Sequence, residues 1–228
     1  MTDATRPELM EWAEYYCPWC YIAAVRLHRI GKEYEKRVTV RTRFFPLDLL
    51  RPGGPPRPLL EQEWWLAAIQ EPAAVFAPYP VDDWPTTTLP AFDAAWAAFR
   101  QGHAVGMDYD LRVRRAFFGE GRNIGRPDVL LDIAREAALD MPRFQRDVAS
   151  PEVRAAVLEE SRIGREEFHV RGTPTLTLTD GTHLDLPITF PRIRAHRIVG
   201  MPPLECVGEA CSDAMRALFG RALAGHET

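Results

Sequence analysis

Cys17-Pro18-Trp19-Cys20 constrains this chain more than any other feature, because of what flanks it. Leu9 to Tyr16 reads as a short strand leading into the pair. After it, Ala23, Leu27, Ile30 and Tyr34 recur at every third or fourth position, which is the apolar face of a helix; Gly31 inside that pattern weakens it slightly. Val38 to Phe45 then alternates. Val38, Val40, Thr42 and Phe44 fall on one side and Thr39, Arg41 and Arg43 on the other, so a second strand is predicted.

A cysteine pair at a strand-to-helix junction has definite chemistry. Proline suits the first helical turn, where its missing N–H would be unpaired anyway. Cys17 then sits at the helix N-terminus, where free N–H groups and the dipole favour a thiolate, so it is the expected nucleophile. Cys20 lies about one turn further on the same side, placed to attack a mixed disulfide at Cys17 and release the reduced substrate. The pair alone leaves other readings open: zinc held with Cys206 and Cys211, or two inert buried thiols.

Ten of the 20 prolines fall between positions 46 and 90, and Arg51 to Pro58, with Gly53, Gly54 and four prolines, must be a loop. The middle of the chain is mostly helical. Leu130, Ile133, Ala134 and Ala137 form an apolar stripe after Pro127. Ser150-Pro151 supplies a hydroxyl cap and a first-turn proline for a helix running toward Phe168. Thr175–Thr179 and Thr182–Leu186 flank Asp180-Gly181, a hairpin signal. Met215, Leu218, Phe219, Ala222 and Leu223 mark a C-terminal helix, with Gly220 off the stripe. The skeleton is therefore β-α-β over 1–47, a mainly helical insertion over 48–168, and a hairpin, basic segment and helix over 169–228.

Composition narrows the function classes. Of 228 residues, 46 % are hydrophobic and 26 % charged, as in a packed globule. With 28 Lys+Arg against 32 Asp+Glu the net charge is −4, which argues against general nucleic-acid binding. No window approaches 18 apolar residues, so no membrane span is expected. Residues 1–14 carry Asp3, Arg6, Glu8, Glu11 and Glu14 and no apolar core of a secretory signal. A cytoplasmic location is expected, with the cysteines too few for a disulfide scaffold. Neither a phosphate-binding glycine loop nor an H-E-x-x-H motif occurs.

The other notable segment is Val170-Arg171-Gly172-Thr173-Pro174-Thr175. A proline opening a strand marks an edge or tight bend, and a cis Thr173–Pro174 bond fits there; an ordinary loop proline is the alternative reading. Together with the cysteine pair, this segment resembles the thioredoxin superfamily, most closely its DsbA/FrnE-like branch. Ala116 to Ile124, Val129-Leu130-Leu131 and the run to Thr175 look like that branch's insertion and return strand. The resemblance implies an α/β thioredoxin-like fold with a large helical insertion domain and a C-terminal helical extension. It also implies that Thr173 and Pro174 border Cys17, and that with Pro18 and Trp19 they form the substrate surface, the Thr173 backbone pairing with an extended substrate. The implied activity is thiol–disulfide oxidoreduction on a disulfide-containing protein or small molecule, with a thiol electron donor or acceptor and no metal or organic cofactor. Two alternatives of other classes stand beside it: a kappa-class-like glutathione-dependent isomerase or transferase, against which Cys20 argues, and a zinc-binding interaction module.

Cys206-Val207-Gly208-Glu209-Ala210-Cys211 resembles the second cysteine pair of FrnE-like proteins. Residues five apart on a helix point about 140° apart, so a local disulfide requires non-helical backbone, which Gly208 permits. A relay redox pair and structural thiols both remain open. Glu11 and Glu14 sit where a doubly buried strand is normally apolar. Glu14 is expected to be a solvated edge charge, with a buried proton acceptor for Cys20 as the alternative. No His or Lys lies between the cysteines, so a strongly oxidising poise is not expected. Pro187 to Leu204, with Arg192, Arg194, His196 and Arg197, reads as a solvated basic segment, and His169 as a loop histidine. Trp64-Trp65, Trp84, Phe92, Trp96 and Phe99 are expected to pack the insertion.

Overall fold

Strand β1 (Glu8–Ala13) lies parallel to β2 (Thr39–Phe44), and helix α1 (Pro18–Tyr34) makes the crossover between them. A computed structural model describes residues 6–50, 55–80 and 82–226; the expected loop over 51–58 therefore lies partly outside the described residues, as does the start of the N-terminal segment. In β2 the predicted alternation is present residue by residue, with Val38, Val40, Thr42 and Phe44 buried. β1 ends earlier than the sequence suggests. The Glu14 carboxylate accepts the N–H groups of Tyr15 and Tyr16 at 2.6 and 3.1 Å, which turns the chain out of the sheet toward α1.

After β2 come α2 (Arg57–Gln70), α3 (Leu89–Phe99), α4 (His103–Glu120), α5 (Pro127–Glu136), α6 (Met141–Val148) and α7 (Pro151–Glu166). Pro127 opens α5, and the Ser150 hydroxyl caps α7 by accepting from the Glu152 N–H at 3.2 Å. The chain then returns as β3 (Thr175–Thr177), antiparallel to β1, and β4 (His183–Leu184), giving a sheet ordered β2-β1-β3-β4. This hairpin ladder is shorter than expected because Leu178 to Thr182 are consumed by the turn, where the Asp180 carboxylate accepts the Thr182 N–H at 2.8 Å. A separate hairpin, β5 (Arg192–Arg194) and β6 (Arg197–Gly200), precedes the C-terminal helix α8 (Ser212–His226).

One sheet face packs on α1 and α8 through Leu9, Leu27, Ile30, Leu176, Met215 and Phe219. On the other face, Trp12 and Phe45 lie against α7, where Gly164 leaves room for the Trp12 ring. Aromatic rings join the insertion to the sheet: Phe44 of β2 lies 5.5, 5.8 and 6.1 Å from Phe92, Trp96 and Phe99. Trp64 is enclosed by Phe76, Tyr79, Trp84, Phe117 and Phe118. Its neighbour Trp65 does not join this packing; it is 47 % exposed, one helical step off the buried face. The segment after Leu186 is also not uniformly solvated. Pro187, Ile188 and Thr189 are buried, and the exposed basic residues begin only in the β5–β6 hairpin, which the sequence did not reveal. Among the described residues no helix is long and apolar enough to cross a membrane.

Candidate active site

Cys17 is the N-cap of α1, in extended backbone geometry, and Pro18 opens the helix. A β-strand thus delivers the first sulfur to a helix N-terminus, the position where the dipole favours an anion. The Cys17 thiol donates to the Thr173 carbonyl oxygen at 3.4 Å. The Thr173–Pro174 peptide is cis, and the Thr175 hydroxyl ties the loop by donating to the Gly172 carbonyl at 2.7 Å. Four of the candidate residues, Cys17, Cys20, Thr173 and Pro174, are brought together by the crossover α1 and the returning β3.

Cys20 is fully buried, and neither it nor Cys17 is in a disulfide. The Glu14 N–H donates to the Cys20 sulfur at 3.5 Å. Burial pushes the Cys20 thiol well above its ordinary range. Neighbouring Cys17 and the Glu11 carboxyl raise it further, and Arg114 opposes them. Trp19 is turned inward; its indole N–H donates to Glu63 Oε1 at 2.9 Å, and its ring meets Phe190 edge-on at 5.4 Å.

Glu14 is not a solvated charge. It is fully buried, and besides the Tyr15 and Tyr16 amides it accepts from the Leu47 N–H and from the Thr88 hydroxyl at 2.8 Å. The sequence could not foresee this, because those donors come from β2's end and the insertion. Burial raises its pKa to about 7 despite these bonds. With both oxygens occupied, Glu14 serves as a cross-link. The carboxyl whose charge raises the Cys20 thiol is Glu11, on the α1 face of β1, with its Oε1 lacking any hydrogen-bond partner. Burial lifts Glu11 to about 8, with Asp110 adding to the rise and Arg114 opposing it.

Beneath Cys20 lies a charged network that sequence reading missed. Arg114, fully buried, donates to Asp110 at 2.9 Å and to the Glu14 carbonyl at 3.2 Å, and lies over the Tyr15 ring at 4.9 Å. The Tyr15 hydroxyl donates to the same Asp110 at 2.8 Å. Burial disfavours the Arg114 cation, but Asp110, Glu11, Tyr15 and Cys20 outweigh it and hold the guanidinium charged.

Cys206 and Cys211 form a disulfide with Cα atoms 5.2 Å apart, in a turn where Gly208 takes a φ of +53°. Among the described residues no group of three or more His, Cys, Asp and Glu side chains could hold a metal ion, so the four cysteines do not converge as a zinc site. His169 is exposed, and His183 is occupied with the Phe168 carbonyl at 2.7 Å.

Comparison with known proteins agrees with this arrangement. Residues 8–210 match the model of the DSBA-like thioredoxin domain. The Bacillus subtilis protein YwbO is 28 % identical over 180 residues, which span 74 % of this chain and 85 % of YwbO. A putative protein disulfide isomerase from Nitrosomonas europaea superposes with a TM-score of 0.69 at 18 % identity, covering 97 % of this chain and 99 % of its own. The cytosolic disulfide reductase DsbM from Pseudomonas aeruginosa does so at 0.66 and 20 % identity, covering 95 % and 98 %, and has also been solved with glutathione. This chain belongs to the DSBA-like thioredoxin domain family, a family of thiol–disulfide oxidoreductases.

Proposed function

We propose that the chain uses Cys17 and Cys20 as a redox pair acting on a protein or small-molecule disulfide, with Pro18, Trp19, Thr173 and Pro174 shaping the substrate groove. The observation that carries this reading is the Cys17 sulfur at a helix N-cap, 3.4 Å from the Thr173 carbonyl, with a fully buried second thiol in the first turn of the same helix. The Cys17 thiolate attacks one sulfur of the substrate disulfide; the other leaves as a thiolate. Cys20, giving its proton to that departing thiolate, then attacks the Cys17 sulfur, which forms the Cys17–Cys20 disulfide and releases the second substrate sulfur as a thiolate. Two thiols from a donor restore the pair and become a disulfide themselves. Glutathione, present in a structure of DsbM, and the cytosolic setting of that relative support a thiol donor of this class and a cytoplasmic location for this chain.

Cys206 and Cys211 serve in this reading as a second exchangeable pair. Cys206 is half-buried and open to an attacking thiol, while buried Cys211 is the leaving thiol. Mass spectrometry after alkylation during turnover tests it: a Cys206–Cys211 state that never changes removes the pair from the cycle.

The test of the main reading is a model disulfide assay with Cys17→Ser and Cys20→Ser. The first abolishes activity; the second accumulates a covalent Cys17–substrate adduct, seen as added mass. Full turnover by Cys20→Ser would instead favour single-thiol, glutathione-dependent isomerase or transferase chemistry.

A further inference from the structure

Between Asp185 and Glu205 the chain has no acidic residue, yet it carries Arg192, Arg194, His196 and Arg197 in a protein of net charge −4. All four lie on the β5–β6 hairpin or its tip. Arg194 stands directly opposite Arg197, and Ile193 opposite Ile198. Arg194 and Arg197 are therefore cross-strand neighbours on one face, and Arg192 lies on the same strand just before a shift in the register of the ladder.

This hairpin collects several locally unfavourable choices. Like charges directly opposite one another repel. Among the described residues none of the three arginines pairs with a carboxylate, whereas exposed Arg162 and Arg216 each bind two or more. The two tip residues, Ala195 and His196, both have left-handed backbone, with φ of 48° and 58°, where such turns ordinarily use asparagine and glycine. The sheet has only two strands, which by itself is marginal. Yet Ile193 and Val199 stand 45 % and 62 % exposed. The hairpin adjoins the cysteine site through Phe190, whose ring packs on Trp19.

We infer that the β5–β6 hairpin is a docking arm for an acidic, extended stretch of a polypeptide substrate. Carboxylates on that stretch relieve the Arg194–Arg197 repulsion, and its backbone adds to an open edge of the two-stranded sheet beside the exposed apolar residues. A nucleic acid fits less well, since the protein as a whole carries a net charge of −4. That the docked polypeptide is a disulfide substrate rests on the role proposed above for Cys17; the docking itself does not.

The experiment uses a fluorescent, cysteine-free peptide rich in glutamate and measures its binding by anisotropy. Wild type binds it in a salt-sensitive manner. The triple variant Arg192→Gln, Arg194→Gln, Arg197→Gln binds about tenfold more weakly while keeping or raising the unfolding midpoint, and the corresponding triple lysine variant retains most of the affinity. Equal binding by wild type and the glutamine variant, absence of binding by wild type, or equal affinity for a single-stranded DNA oligonucleotide of matched charge overturns the inference. Turnover of hydroxyethyl disulfide by wild type is followed separately; its absence overturns the redox reading and leaves the binding result standing.

Discussion

The indole N–H of Trp19 donates to the Glu63 carboxylate at 2.9 Å, which ties the turn between the two cysteines to the first helix of the insertion. Both side chains are buried, and burial raises the Glu63 pKa while the Trp19 bond pulls it back. Replacing Glu63 by Leu leaves a buried indole N–H without an acceptor, at an expected loss of about 1–3 kcal/mol. The double variant Trp19→Phe, Glu63→Leu removes both polar partners and recovers much of that loss. Urea unfolding of the four proteins of the cycle measures the coupling; additive effects would show that the bond contributes nothing.

Glu11 makes stability depend on pH in a defined direction. Its carboxyl ionises near 4.5 in the unfolded chain and about 8 in the folded one, chiefly because it is buried. Between those values the folded state holds a proton that the unfolded state has released. Stability from this group therefore falls as pH rises from 4.5 to 8 and stays at the lower level above. Glu11→Gln mimics the protonated form. Its advantage over wild type should grow from near zero at about pH 5 to roughly 3–5 kcal/mol at about pH 9. A stability difference that does not change with pH would contradict the buried, titrating carboxyl.

Local signals in the sequence carried the fold well. The alternation of Val38 to Phe44 is visible because β2 buries one face, and Ser150-Pro151 is visible because a cap acts within one helical turn. The charged groups were opaque for the opposite reason. Arg112–Asp108 and Arg114–Asp110 have the same spacing on the same helix. The first pair is about half exposed and the second is buried under Cys20. Only the rotation of α4 against β1 separates them, and spacing does not encode it. Glu14 likewise takes its meaning from Leu47 and Thr88, 33 and 74 residues away. The β5–β6 hairpin escaped notice because its Ala195-His196 tip carries no ordinary turn residue.

Arg26 offers a test of how the segment before that hairpin is held. It is fully buried on α1 and donates to Glu71 at 3.0 Å, to the Gln70 carbonyl at 2.6 Å and to the Pro187 carbonyl. Arg26→Met strips these acceptors of their shared donor and takes one of the two arginines paired with Glu71, leaving the ion pair with Arg29, for an expected loss of about 3–5 kcal/mol. Arg26→Lys keeps the charge but not the planar fork, and should recover only part of it. Hydrogen exchange should speed up at Ile188 and Thr189 more than in β1. Unchanged exchange there would mean that Arg26 does not anchor this segment.

Two glycines in helices should respond to alanine with opposite signs. At Gly164 of α7 a Cβ would lie 2.7 and 2.8 Å from carbons of the Trp12 ring and 3.2 Å from Phe45. Trp12 cannot swing away easily, because it is fully buried and its indole N–H is held by the Thr177 hydroxyl at 3.0 Å. Gly164→Ala is therefore expected to cost about 1–3 kcal/mol through overpacking. Gly220 of α8 is exposed, with nothing within 4 Å of its would-be Cβ. There alanine only restricts the unfolded chain and suits the helix, so a gain of about 0.5–1 kcal/mol is expected. Denaturant midpoints at constant m-value measure both changes. A neutral Gly164→Ala would mean that α7 can lift from the sheet without cost, and the close seating of Trp12 beneath it would lose its role in placing β1.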